Sequence, residues 1–146
     1  MKVFFDTNVL ISAFTTRGLS ADLFRLVVAE HELLTGEVNL TELRRVLRER
    51  FKVPPAEIAL VEDQLRAHTI VARPAAPSDL PLRDADDAWV LASALAGGAE
   101  LLVTGDKDLL SVAEQAPLPT VDPRGCWSQA RHEPRLAAIS GVPETR

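Results

Sequence analysis

The chain has 146 residues, 47% of them apolar and 25% charged, proportions that fit one globular domain and exclude a disordered chain, a collagen-like fibre and a coiled coil. A single cysteine, Cys126, excludes an intrachain disulfide and a cysteine-rich zinc site, and no apolar run reaches the ~20 residues of a membrane span. The net charge of −5 argues against binding nucleic acid by bulk charge, and the early acid Asp6 argues against a signal peptide, so the expected compartment is the cytoplasm.

Lys2–Phe5 is a short apolar run that predicts a buried strand, ending abruptly at Asp6-Thr7-Asn8. The spacing of Leu19, Leu23, Leu26 and Val27 predicts a helix over 19–30 with Ser20 as its cap. Glu32–Thr35 reads as a second strand before Gly36. A helix over 38–51 places Leu40, Leu43, Val46, Leu47 and Phe51 on one stripe. Pro54-Pro55 opens a further helix over 56–67, since proline suits a first turn. Thr69–Ala72 reads as a third strand.

Residues 73–83 hold three prolines and predict a loop. Asp84–Leu95 predicts a strong helix stopped by Gly97-Gly98. Leu101–Thr104 is a clear strand, Asp108–Gln115 a short helix, and Thr120-Val121 a fifth strand. A final short helix follows, then a polar tail from about Glu133; the expected division is one domain over 1–133 and a tail over 134–146. Unbroken apolar strands alternating with helices predict an α/β fold with a parallel sheet covered on both faces. In such sheets, sites form beyond the carboxyl ends of the strands.

Two predicted strands run directly into an acid, at Asp6 and at Asp106. One acid after a strand is weak evidence, because aspartate often caps the next helix. Two are more informative. On the helix 84–96, Asp87 shares a face with Val90, Leu91 and Ala94, the face that packs on the sheet. Asp84 and Asp86 are explained by the helix dipole alone; Asp87 is explained less well. Glu42 lies beside Val46 at the margin of its apolar stripe, where a boundary or dipole role also accounts for it. Four carboxylates at one sheet edge repel each other unless cations occupy the cluster, and oxygen-only donors favour Mg²⁺ or Mn²⁺ over Zn²⁺. His31, His68 and His132 show no metal-ligand spacing and read as surface or packing residues.

These segments resemble the PIN domain family, and more narrowly the PIN-type toxins of bacterial toxin–antitoxin systems, relatives of the VapC ribonucleases. The opening strand with Asp6-Thr7-Asn8-Val9-Leu10-Ile11-Ser12 is similar to the family's first motif, and Leu40–Leu47 with Glu42 to its second. Asp84-Ala85-Asp86-Asp87 before Val90-Leu91-Ala92 resembles the third. Leu102-Val103-Thr104-Gly105-Asp106-Lys107-Asp108-Leu109-Leu110 resembles the fourth and is the most distinctive, and Val121-Asp122-Pro123-Arg124 resembles the end of the last strand. The resemblance spans residues 2–127 in order. It implies a three-layer α/β/α sandwich with a central, mostly parallel four- to five-stranded sheet, and Mg²⁺- or Mn²⁺-dependent cleavage of RNA phosphodiester bonds. It implies metal-binding, catalytic roles for Asp6, Glu42, Asp87 and Asp106, with Asn8 and Thr104 as supporting polar residues. Asp84 and Asp86 compete with Asp87 for the third position, where the helix face favours Asp87, and Asp108 is a candidate to share the fourth with Asp106, against a plain first-turn helix charge. The implied partners are RNA, a cognate antitoxin protein and a second copy of the chain, for which Trp89 and Trp127 are candidate contacts if they are not core.

Thirteen of the sixteen basic residues are arginine, and Arg44, Arg45, Arg48 and Arg50 fall within seven positions. Arginine makes two-pronged contacts to phosphate, so this run is a candidate for RNA or for an acidic antitoxin, against a plain solvated helix face. Two other classes compete. A dehalogenase-type phosphatase wants an acid where Asn8 stands, and a response-regulator receiver wants a lysine that 117–123 does not offer. A PIN-like fold that binds RNA or a partner without catalysis is the remaining alternative.

Overall fold

In the computed structural model, which describes residues 1–131, strands and helices alternate along the chain. The strands are β1 (Lys2–Phe5), β2 (Glu32–Gly36), β3 (Thr69–Val71), β4 (Leu101–Val103) and β5 (Thr120–Val121). The helices are α1 (Thr7–Thr15), α2 (Leu19–Glu30), α3 (Glu37–Glu49), α4 (Pro55–Arg66), α5 (Ala85–Ala96), α6 (Lys107–Ser111) and α7 (Pro123–Arg131). Every strand pair is parallel, in the order β3-β2-β1-β4-β5. The three-layer α/β/α architecture expected from the sequence is therefore present, with five strands.

The layers follow from strand alternation. Val3 and Phe5 of β1, with Leu33, Leu101 and Val103, face the layer built from α1, α2, α3, α4 and α7. Phe4, Leu34 and Leu102 face the opposite way, onto Val90, Leu91 and Ala94 of α5 and Leu109 of α6. Both faces of the short strands are thus dry, which is why they read as unbroken apolar runs. Truncating Leu91, which is 1% exposed, to alanine would cost ~2–5 kcal/mol.

The order also fixes where a site can form. From β1 the chain adds β2 and β3 on one side, then returns to add β4 on the other. The crevice between the carboxyl ends of β1 and β4 is the point at which the order reverses, the place where open α/β sheets bind ligands. Phe5 pairs with Val103 there, and the Asp6 N–H donates to the Val103 carbonyl at 2.9 Å.

Several local expectations are corrected. Helix α1, over residues that no expectation covered, follows β1 through Asp6 alone. Helix α2 starts at Leu19 with Gly18 at its cap position, and Ser20 is buried within the first turn instead of capping. Phe51 leaves the α3 stripe and is 41% exposed: the helix ends at Glu49, Lys52 turns the chain with φ 55°, and Val53 packs on the core in its place. Helix α6 stops at Ser111, where the backbone tightens into i→i−3 hydrogen bonds at Val112 and Ala113. Trp89 and Trp127 are both half-buried, and Trp127 packs against the main core. The expected polar tail and His132 lie outside the described residues. Among the described residues no helix is long and apolar enough to cross a membrane.

Candidate metal centre

The two strands at the switch point each end in a carboxylate that caps the next helix. Asp6 Oδ1 accepts from the Thr7 N–H at 2.7 Å at the start of α1. Asp106 Oδ1 accepts from the N–H groups of Asp108 (2.7 Å) and Leu109 (3.4 Å) at the start of α6. The cap and site readings are therefore not exclusive for Asp106, whose Oδ1 caps while Oδ2 remains for a different task.

Asp6 is 4% exposed and its oxygens are saturated. Oδ1 also accepts from Asn39 Nδ2 at 3.2 Å, and Oδ2 accepts from Thr104 Oγ1 at 2.7 Å and from Asn8 Nδ2 at 3.4 Å. Thr104 in turn accepts from the Asp106 N–H at 3.0 Å, so Thr104 links the two acids. Asn8 Oδ1 accepts from the Gly105 N–H at 2.9 Å and ties the start of α1 to the loop after β4. Burial pushes the Asp6 carboxyl up to about 6; Glu42 and Asp106 add to the rise, and the bonds from Thr104 and Thr7 oppose it.

Asp87 is the contrasting case. Its face on α5 is buried as expected, leaving it 5% exposed, but its Oδ2 has no hydrogen-bond partner. Burial pushes its carboxyl up to about 7, and the charges of Asp106, Asp6, Asp84 and Asp108 push the same way. Asp87, Asp106 and Asp108 each offer a carboxylate oxygen within 4.8 Å of the others. An all-oxygen set with an unpartnered buried member suits a hard cation such as Mg²⁺ or Mn²⁺.

The remaining expected residues fall around this group. Asp84 caps α5, accepting from the Asp86 N–H at 2.9 Å, and points its charge at the dipole as its position predicts. Glu42 is half-buried outside the trio; Arg45 approaches it at 4.0 Å, and both line a groove between α3 and α5. Arg44 is committed to Glu62 at 2.8 Å across the α3–α4 contact, and Arg48 pairs with Glu49 at 3.2 Å on the surface. Arg50 leaves the helix and stands over the Phe51 ring. Among the expected RNA contacts, only Arg45 lines this groove. His31 and His68 stand outside the carboxylate group.

One supporting residue was not legible in the sequence. Asn39 is fully buried; its Nδ2 holds Asp6 and Thr7 Oγ1 (3.0 Å), and its Oδ1 accepts from the Gly36 N–H at 3.2 Å. A Cβ at Gly36 would stand 3.0 Å from Asn39 Oδ1, so the glycine leaves room for this bond. The available signal was an asparagine three residues after Gly36, at the edge of the apolar stripe of α3, where a buried polar group needs partners.

A family model described as "PIN domain" matches residues 2–108 of the chain. Among solved structures, a chain in the crystal structure of VapBC2 from Rickettsia felis bound to a DNA fragment from their promoter is similar in fold. Its TM-score is 0.57 at 14% sequence identity, with 84% of this chain and 98% of that chain covered. No curated protein matches the chain.

Proposed function

The chain belongs to the PIN domain family, and from that premise we propose that it is a Mg²⁺- or Mn²⁺-dependent endoribonuclease, the toxin of a toxin–antitoxin pair acting in the cytoplasm. The observation that carries this reading is that Asp87, buried with one oxygen lacking a hydrogen bond, belongs to the carboxylate trio with Asp106 and Asp108. A charge left so is costly unless a cation completes it. The fold likeness to a chain of a VapBC complex supports the toxin reading and an antitoxin partner.

In this reading Asp87, Asp106 and Asp108 hold the cation. When bound, it supplies charge to the scissile phosphate and lowers the pKa of a water nucleophile. Asp106 is preset for its part, since Oδ1 is tied to the α6 backbone and Oδ2 is left over. Asp6 anchors the site by holding Asn39 and Thr104; direct ligation would require it to exchange one of its four donors. Glu42 contributes negative charge from the α3 side. Arg83, 3.7 Å from Asp108 and largely exposed, offsets charge at the rim.

The test is thermal unfolding of wild type and Asp106→Asn, each in EDTA and in millimolar Mn²⁺, followed by incubation with single-stranded RNA. A ligand at 100 times its Kd adds about 2.7 kcal/mol of stability. A large Mn²⁺-dependent gain in wild type alone, with metal-dependent RNA cleavage, is expected. An equal response in both proteins, or a metal gain with no cleavage of any RNA, would overturn the reading.

A further inference from the structure

The end of β3 brings a cation to the same sheet edge. Arg73 lies two residues beyond β3, as Asp6 and Asp106 lie just beyond β1 and β4. Its guanidinium stands 4.0 Å over the centroid of the Trp89 ring. The other arginines of α3 and α4 have carboxylate partners: Arg66 bridges Glu37 and Glu62, and Arg44 pairs with Glu62. Arg73 has no carboxylate within ion-pair range among the described residues; its one contact of this kind is the Trp89 ring. A groove of about 300 Å³ between α3 and α5 holds the Arg73–Trp89 pair, with Thr7, Glu42, Arg45 and Asp86 among its walls; Thr7 and Asp86 are the chain neighbours of Asp6 and Asp87, which places the groove beside the carboxylate edge.

We propose that this groove binds one nucleotide of single-stranded RNA next to the scissile phosphate, its base stacked on the Arg73 guanidinium that Trp89 holds flat. The adjoining phosphate then takes the guanidinium N–H edge. The inference rests on the ribonuclease reading above and names a subsite for it. Arginine planes and aromatic rings are the surfaces on which unpaired bases stack, and the stacking tolerates any base. The N–H fork suits a phosphate and is left open by the ring contact. The walls favour a nucleotide over an acidic peptide. Glu42 and Asp86 repel either anion, but only a nucleotide brings a planar base for the Arg73–Trp89 pair to offset that cost. A duplex does not fit, because its bases are already stacked.

The experiment uses the full chain, Mg²⁺ and a short labelled oligouridine, with affinity read by anisotropy at rising salt. Arg73→Ala is expected to weaken binding about tenfold, in line with the loss of one stacked base. It should also flatten the salt dependence by about 0.7 in the log–log slope, the value for one phosphate contact on a single strand. Arg73→Lys keeps the slope and loses most of the affinity, since it keeps charge without a plane. In a Trp127→Phe protein, Trp89 is the sole indole, and its emission is expected to be quenched as the RNA binds.

Equal affinity and slope for wild type and Arg73→Ala, with unaltered Trp89 emission and oligouridine still cleaved, overturns this subsite and leaves the ribonuclease reading standing. No binding or cleavage of oligouridine by a chain that still gains Mn²⁺-dependent stability overturns this subsite, and if no other single-stranded RNA is cleaved either, the ribonuclease reading falls with it. If Arg73→Ala loses affinity for polyglutamate while oligouridine binding is untouched, the groove belongs to an acidic peptide and the proposal falls.

Discussion

Two charged regions of the molecule treat the same side chain in opposite ways. On the α3–α4 face, Glu37 and Glu62 are held below the usual carboxylate range, Glu37 by Arg66 and Glu62 by Arg44 and Arg66. At the sheet edge, burial and neighbouring acids push Asp6 and Asp87 up. The first region is charge-rich but balanced, and its charges face water. The second gathers like charges at a partly buried edge, with one exposed arginine, Arg83, at its rim. A count of acids does not separate the two; burial and the sign of the neighbours do. The first arrangement stabilises a helix pair, and the second is poised for a cation.

The largest expected effect breaks this contrast at the edge. Asp87→Asn or Asp106→Asn should cost RNA cleavage more than the ~10–100-fold typical of losing an outer-sphere partner, measured as kcat/KM on single-stranded RNA. Glu62→Gln, on the balanced face, should leave cleavage unchanged.

Next is the anchor. Asn39→Ala leaves Asp6 Oδ1, Thr7 and Gly36 short of a bond in a dry site. It should cost ~1–3 kcal/mol in urea unfolding. Gly36→Ala, which crowds the same oxygen, should move stability in the same direction.

The pH dependence sharpens the contrast further. Asp6 and Asp87 have folded values, about 6 and about 7, above their unfolded 3.8. Their contribution is therefore fully present at low pH and is lost as pH rises through that window. In EDTA, the wild-type Tm should rise as pH falls from 8 to 6. Asp87→Asn should be more stable than wild type at pH 8 by about 1 kcal/mol, and the gain should shrink by pH 6. Glu37 and Glu62 act with the opposite sign: their lowered values stabilise at neutral pH, and that is lost only as pH falls below the ordinary glutamate value. A flat EDTA profile between pH 8 and 6 would count against crowding at the edge.

The smallest effect is on the balanced face itself. Arg44→Ala should cost less than about 1 kcal/mol, and added salt should erase part of it. The Mn²⁺-dependent shift in Tm should be that of wild type.

Some of this was legible in residues alone. Short unbroken apolar runs marked β1, β2 and β4, since a strand buried on both faces needs no polar alternation. Asp6 and Asp106 were marked by their place at strand ends, and Asp87 by its offset of three and four from Val90 and Leu91. Helix α1 was not marked, because Asp6 ends the strand and caps the helix in one residue, leaving no turn signal. The cap at Ser20 and the buried place of Phe51 also failed, each for a tertiary reason: α2 buries Ser20, and the αL turn at Lys52 hands the packing position to Val53.

What the sequence determined by itself is the alternation of strand and helix, the parallel sheet, and the delivery of acids to its carboxyl edge. Those follow from local periodicity and from connection rules that act on every such chain. Only the tertiary structure decided which acids meet. It set Asp108 beside Asp87 and Asp106, filled both oxygens of Asp6, and kept Glu42 outside the trio. It also brought Asn39, thirty-three residues away in the chain, onto Asp6, and Arg73 onto Trp89. The physical reason is that charge and hydrogen bonding act over a few ångströms through a dry interior, and no spacing along the chain encodes that distance until the sheet order is set.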